Sequence, residues 1–316
     1  MKIYITDCDH ESMEIEKNTF VEQGVDFEIL NITQPTDIIK ACHDADALIL
    51  QYATISDSVL SSLKNLKGVV RYGVGVNTID IESATKNNVA VCNVPDYGTN
   101  EVADHALSLI MALTRKLPLF INDTKNGIWA YEKAIPIYRL QDQTAGIIGL
   151  GRIGLSLAKK LHGIGLKVIG FDPFAKKENL PGFIEFVNLE ELLAQSDIIS
   201  LNLPLAKETH NLINSHEFSL MKKNCYLVNT ARGGIVNEEA LYQALLNKTI
   251  AGAALDVFEH EPPTATDRKL FNLDNFIATP HAAWYSEQSQ QDLKRKAAEE
   301  AIRLVKGETP FYCLNK

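Results

Sequence analysis

Three residues in the last third of the chain carry side chains suited to moving a proton and holding an acid. His281 directly follows Thr279-Pro280 at the end of an apolar run, and an imidazole, titrating near neutrality, can exchange a proton with a carbinol or carbonyl oxygen. Its neighbour His260 is a rival for that role. Glu261 is placed to hold the other ring nitrogen and tune its basicity. Arg232, within Asn229-Thr230-Ala231-Arg232-Gly233-Gly234, offers a planar, permanently charged fork for a carboxylate or a polarised carbonyl. By residue type alone, Glu261 and Arg232 would serve equally as a surface ion pair. A hydride carrier for such chemistry is indicated by Gly149-Leu150-Gly151-Arg152-Ile153-Gly154, which sits between the apolar run Ala145 to Ile148 and the helical pattern from Leu155. The first glycine allows a tight turn, the second lets a pyrophosphate reach bare backbone, and the third lets helix and strand pack closely. The next apolar run ends in Asp172, eighteen residues beyond the last glycine, where a carboxylate can accept from an adenosine ribose diol.

The elements that must position these residues alternate in a βα rhythm. Strands are expected at 3–6, 27–31, 47–51, 69–72 and 89–93, a small doubly wound parallel domain without a glycine fingerprint of its own. From Asn100 to about Asn126 apolar residues recur at helical spacing on more than one face, which predicts one long buried helix. A second series of six strands is expected at 145–149, 166–171, 197–203, 225–229, 250–255 and 275–279, the rhythm of a dinucleotide-binding fold. Asn229 to Gly234, Asp256 with Glu259 and Glu261, and Thr279 to His281 follow its last three strands, where ligands gather in open α/β sheets. Ser286 to Lys306 reads as an amphipathic helix returning to the first domain. The fold class is therefore α/β, with two doubly wound parallel-sheet domains. A Rossmann domain over 100–285 is inserted in a flavodoxin-like substrate domain made of 1–99 and 286–316.

The chain has 316 residues, 46% of them hydrophobic and 22% charged, with a net charge of −9. That is the composition of a globular protein of two cores, and the acidic balance argues against nucleic acid or an anionic membrane as partner. No apolar stretch approaches the roughly 20 residues that cross a bilayer, and the start turns acidic within nine residues, unlike a secretory leader. The five cysteines, Cys8, Cys42, Cys92, Cys225 and Cys313, are scattered with no CxxC pair. That spacing suits a reduced, cytoplasmic setting and small buried residues rather than zinc ligands. Asp104 and His105 lack further ligands nearby, so no metal is expected.

These motifs, in this order and at this spacing, resemble the D-isomer-specific 2-hydroxyacid dehydrogenases over essentially the whole chain. Phe171-Asp172-Pro173, Ala254-Leu255-Asp256-Val257-Phe258, and Glu261-Pro262 extend the match. The resemblance implies NAD as cofactor and Arg232, Glu261 and His281 as a catalytic trio. It further implies cofactor contacts from Gly149, Gly151, Arg152, Ile153, Gly154, Asp172 and Leu203, from Thr230, Ala231 and Arg232, and from His281 and Trp284, with Asp256 at the nicotinamide amide. Asp172 favours NAD over NADP by repelling a 2′-phosphate. In Arg71-Tyr72-Gly73-Val74-Gly75-Val76-Asn77, the backbone of Val74 and Gly75 would hold the substrate carboxylate, with Arg232 and Trp284 completing the pocket. Cys92-Asn93-Val94-Pro95 and the stretch His281 to Gln288 look most like the branch containing the C-terminal-binding proteins. The implied reaction is hydride transfer between nicotinamide C4 and C2 of a 2-oxo or (R)-2-hydroxy acid, in a homodimer built on the helix from Asn100. Two alternatives stand beside it: oxidation of 3-phosphoglycerate type, and a non-catalytic NAD(H)-sensing binding protein. Gln51-Tyr52-Ala53-Thr54 replaces the Arg-Ser-x-Thr segment of many phosphoglycerate dehydrogenases, which disfavours a phosphate-bearing substrate unless Arg71 or Arg139 substitutes.

Overall fold

A computed structural model describes every residue except Thr266 and Lys316. The chain divides into unit 1, Met1–Gly98 with Ser286–Lys316, and unit 2, Thr99–Tyr285. Unit 1 begins with strands β1 (Lys2–Ile5), β2 (Asp26–Ile29), β3 (Ala47–Leu50), β4 (Gly68–Arg71) and β5 (Ala90–Cys92), joined by helices α1 (Glu14–Glu22), α2 (Pro35–Ala41), α3 (Asp57–Ser62) and α4 (Ile81–Lys86). The sheet is parallel with order β2-β1-β3-β4-β5, the flavodoxin-like winding. Ala-Leu-Ile-Leu of β3 is wholly buried, as expected of a central parallel strand covered on both faces.

Unit 2 opens with two helices, α5 (Thr99–Thr114) and α6 (Leu117–Lys125), where the periodicity predicts one. Lys116 takes a left-handed φ of 55°, and Pro118, in the first turn of α6, has no N–H with which to continue the α5 ladder. There follow β6 (Thr144–Ile148), α7 (Arg152–Gly163), β7 (Lys167–Phe171), β8 (Ile184–Phe186), α8 (Leu189–Gln195), β9 (Ile198–Leu201), α9 (Ser215–Leu220), β10 (Tyr226–Asn229), α10 (Glu238–Leu246), β11 (Gly252–Leu255) and β12 (Phe276–Ala278). The sheet has seven strands, not six, in the order β12-β11-β10-β9-β6-β7-β8. The additional one, β8, is three residues long and adds to the edge of β7, too short for alternation to reveal it. The winding reverses between β6 and β9, so a crevice is expected at the carboxyl ends of these two strands. Two buried clusters cover the sheet, one built on Leu227, Leu241 and Phe218, the other on Ile110, Ile147 and Leu161.

The last helix, α11 (Glu287–Lys306), is capped by Ser286 and ended by Gly307 in a left-handed conformation, as helix chemistry prescribes. It packs on α1, β3 and β4 of unit 1. Gly68 makes this possible, because a Cβ there would lie 2.7 Å from Leu304 Cδ1. Among the described residues, no helix is long and apolar enough to cross a membrane.

Candidate active site

The three glycines after β6 do three different things. Gly149 has φ 91°, and a Cβ on it would run into the backbone of Asn202, beyond β9. Gly154 lies so close to the carbonyl of Gly149 that a side chain would clash there as well. Gly151, at the N-cap of α7, has ordinary backbone angles and nothing within 4 Å of its Cβ position. Two glycines therefore build the turn, and the third leaves the helix N-terminus uncovered, the arrangement that receives a phosphate. The Asp172 carboxylate accepts from Leu150 N (2.9 Å) and Phe174 N (2.8 Å). It thereby ties the end of β7 to the glycine turn, and each oxygen keeps a lone pair.

Asn229 ends β10 and shapes the next turn. Its Oδ1 accepts from Ala231 N at 3.0 Å and its Nδ2 donates to Arg232 O at 2.9 Å. A Cβ at Gly233 would overlap the backbone of Phe258 and Glu259, so this turn lies directly on the one that follows β11. That contact brings Arg232 toward Glu261. Glu261 Oε1 accepts from Phe258 N at 3.0 Å, while Oε2 lies 2.6 Å from His281 Nδ1. Burial opposes ionisation of Glu261, but the His281 hydrogen bond and charge, the Phe258 N–H and the Arg232 charge outweigh it and hold the carboxyl below its usual range. With Nδ1 held by the carboxylate, Nε2 of His281 is the ring nitrogen left for chemistry. His260 instead sits 3.5 Å from Asp267.

The turn carrying His281 is made by Asp256. His281 adopts φ 53°, an unusual conformation for a side chain with a Cβ, and its N–H donates to Asp256 O at 2.8 Å. The Asp256 carboxylate accepts from Thr279 Oγ1 (2.5 Å), Ala282 N (3.0 Å) and Ala283 N (2.9 Å). His105, on α5, meets Thr279 Oγ1 at 3.0 Å. The resemblance placed Asp256 at the nicotinamide amide. The residue is 1% exposed, and its carboxylate builds the turn under His281. The parts of Asp256 and His105 in this turn escape sequence reasoning, because their partners are backbone groups and a hydroxyl far along the chain. Trp284, half-buried, meets Tyr285 edge-on at 5.6 Å.

Two buried side-chain oxygens at strand ends, Thr230 Oγ1 and Asn202 Oδ1, have no hydrogen-bond partner. Together with the open helix N-terminus at Gly151 and the Asp172 carboxylate, they fit a dinucleotide along the carboxyl edge of the sheet.

In unit 1, the loop after β4 holds Val74, which is exposed, and Gly75. It is fixed by Asn93 Nδ2 donating to Val74 O (2.7 Å) and Val94 N donating to Gly73 O (3.0 Å). Gly73 has φ 121°, and the Arg71 guanidinium occupies the place where its Cβ would stand. Tyr72, just before it, is buried, donates to Glu16 Oε1 at 3.0 Å and packs edge-on against His10. Asp7, 3% exposed, is a residue the motifs do not single out. Its carboxylate accepts from Tyr52 N (2.6 Å) and Ala53 N (3.2 Å) and so shapes the loop after β3.

Residues 107–283 match the NAD binding domain of the D-isomer specific 2-hydroxyacid dehydrogenases. The D-3-phosphoglycerate dehydrogenase of Archaeoglobus fulgidus is 38% identical over 288 residues, 90% of this chain and 54% of that protein. The glyoxylate reductase of Thermofilum pendens is also 38% identical over 288 residues, covering 89% and 84%. The structure of D-lactate dehydrogenase from Aquifex aeolicus, complexed with NAD and lactic acid, superposes with a TM-score of 0.90 at 28% identity over 99% of both chains. The chain belongs to the D-isomer specific 2-hydroxyacid dehydrogenase family. It spans little more than half the length of the phosphoglycerate dehydrogenases it resembles.

Proposed function

We propose that the chain is an NAD-dependent 2-oxoacid reductase and (R)-2-hydroxyacid dehydrogenase. The observation carrying this reading is the His281–Glu261 pair at 2.6 Å, whose carboxylate also feels Arg232. When bound, the nicotinamide supplies or accepts hydride at C4. In unit 2 Arg232 is a donor suited to the substrate carboxylate, and in unit 1 the N–H groups of Val74 and Gly75 are donors suited to the same group. His281 Nε2 gives a proton to the C2 oxygen during reduction and takes it back during oxidation, while Glu261 keeps the ring oriented. Asp256 is the positioning residue for His281. Arg152 and Ile153, with the glycine turn, face the pyrophosphate; Asp172 takes the ribose diol and Leu203 the adenine, Thr230 and Ala231 are further cofactor contacts, and Trp284 is the pocket wall.

One observation favours substrates with a second anionic group, as in the phosphoglycerate reading: Arg71 lies against Gly73, next to the carboxylate-holding loop. The partner we propose is a second copy of the chain. Unit 2 exposes Ile121 (52%), Trp129 (92%), Tyr131 (67%) and Ile135 (64%) on α6 and the segment after it, apolar surface of the kind that marks an interface. Five cysteines with no disulfide support a cytoplasmic setting.

The test is loss of NADH absorbance with glyoxylate, pyruvate, hydroxypyruvate, phenylpyruvate and 3-phosphohydroxypyruvate, against His281→Ala. Turnover that falls by roughly 10²–10⁴ in the variant, with NADH binding kept, supports the reductase. NADH binding without turnover of any member would replace it with the sensing reading.

A further inference from the structure

Residues 312–315 lie antiparallel to β5, at the edge of the unit 1 sheet, with Cys313 directly opposite Cys92. The bonds on either side run from Leu314 N to Val91 O (2.8 Å) and from Asn93 N to Tyr312 O (3.4 Å). Both flank the cysteines and neither is made by them, so this is a non-hydrogen-bonded pair. Such pairs have Cα atoms about 4.5 Å apart and side chains leaving the same face. A disulfide spans Cα separations of roughly 4.4–6.8 Å. The register is secured independently: Val91 N donates to Asn315 Oδ1 (2.9 Å), Asn315 Nδ2 to Val89 O (2.9 Å) and Tyr312 N to Glu300 Oε1 (2.8 Å). Cys92 is buried, Cys313 is partly exposed, and neither is in a disulfide.

We propose that Cys92 and Cys313 form an oxidation site that closes to a reversible disulfide under hydrogen peroxide. Cys313, the accessible thiol, attacks the peroxide; its S–O bond forms as the O–O bond breaks, and one water leaves with the thiol proton. Cys92 then attacks the sulfenic sulfur; the S–S bond forms, the S–O bond breaks, and a second water carries away the Cys92 proton. Two thiols are oxidised by two electrons, and one peroxide is reduced to two waters. The link fastens residues 308–315 to β5, the strand that runs into Asn93 and Val94. These residues hold the Val74 carbonyl and the Gly73 carbonyl, so the oxidation state is communicated to the glycine loop of unit 1.

The experiment treats the purified chain with hydrogen peroxide, blocks remaining thiols in denaturant and maps peptides without reduction. The expected result is a Cys92–Cys313 linked peptide, two thiols lost per chain and recovered with dithiothreitol, and an unfolding midpoint raised by several degrees. Cys313→Ser should lose the linked peptide, the thiol loss and the shift together, while Cys8, Cys42 and Cys225, which lie outside the strands, stay alkylatable. Cys313 recovered as sulfinic or sulfonic acid, a link to another cysteine or to a second chain, or an unchanged thiol count would each overturn the proposal.

Discussion

Glu261 is bonded to His281 and to a backbone N–H and lies near Arg232, and each of these favours its charged form over burial's opposition. Its folded-state value lies below the unfolded one, so it contributes stability above the ordinary carboxylate range and loses it as pH falls through the depressed value. Glu261→Gln should lower kcat by less than His281→Ala and flatten the acid limb of a pH–rate profile; a profile identical to the parent would remove Glu261 from the proton path. His10 behaves oppositely to a paired histidine. Its ring is 1% exposed and neither nitrogen has a hydrogen-bond partner, and burial, then the Lys294 charge, push its pKa down to about 4. The unfolded chain binds that proton first, so this stability is complete above pH ~6.5 and is lost as pH falls toward 4, by about 3 kcal/mol in all. Glu16 beside it is pushed up by burial, and its contribution runs the other way, falling as pH rises above its ordinary value. His10→Phe therefore isolates the histidine: the variant's urea midpoint, taken relative to the parent's, should be higher at pH 5 than at pH 7, and equal differences at the two pH values would overturn this. At this scale the meeting of Glu261 with His281, near Arg232, was legible because each residue follows a strand at the ligand-binding edge. The part of Asp256 was not, since the groups it binds are backbone N–H groups and a hydroxyl 23 to 27 residues away.

The elements explain why three similar glycines should respond differently to substitution. Gly149→Ala meets both a left-handed φ and the Asn202 backbone, and should cost about 1–3 kcal/mol or more. Gly151→Ala meets neither, so its stability should stay within about 1 kcal/mol of the parent, while NADH affinity falls because a methyl now stands over the α7 N-terminus. Thermal melts and NADH titration of the two variants separate these effects, and equal loss of stability in both would refute the division of labour. The βα rhythm made most strands legible, because buried parallel strands are continuous apolar runs. It failed at β8, where three residues give no period, and at Lys116–Pro118, where a left-handed residue and a proline end α5 although the apolar spacing continues on both sides. The glycine pattern located the turn, but only the packing against Asn202 and Gly149 distinguishes structural glycines from the one kept for a ligand.

For the whole molecule, the exposed apolar residues of unit 2 predict self-association. Trp129→Asp should shift the chain from dimer to monomer in sedimentation or size-exclusion measurements with little change in melting of unit 2, since Trp129 is 92% exposed and contributes no core packing; an unchanged mass would move the interface elsewhere. The order of the units along the chain has a different consequence. Unit 2 is one continuous stretch, whereas the sheet of unit 1 is covered by α11, which arrives some two hundred residues after β4. As the polypeptide leaves the ribosome, the inserted unit has all its residues before its host does, and β3 and β4 must wait with an apolar face uncovered until Leu293, Ala297 and Leu304 emerge. Chains leave the ribosome at about 5–20 residues per second, so this wait lasts on the order of 10 to 40 seconds. Of the two units, the one begun first is thus completed second, and it is the one whose uncovered surface a chaperone would meet.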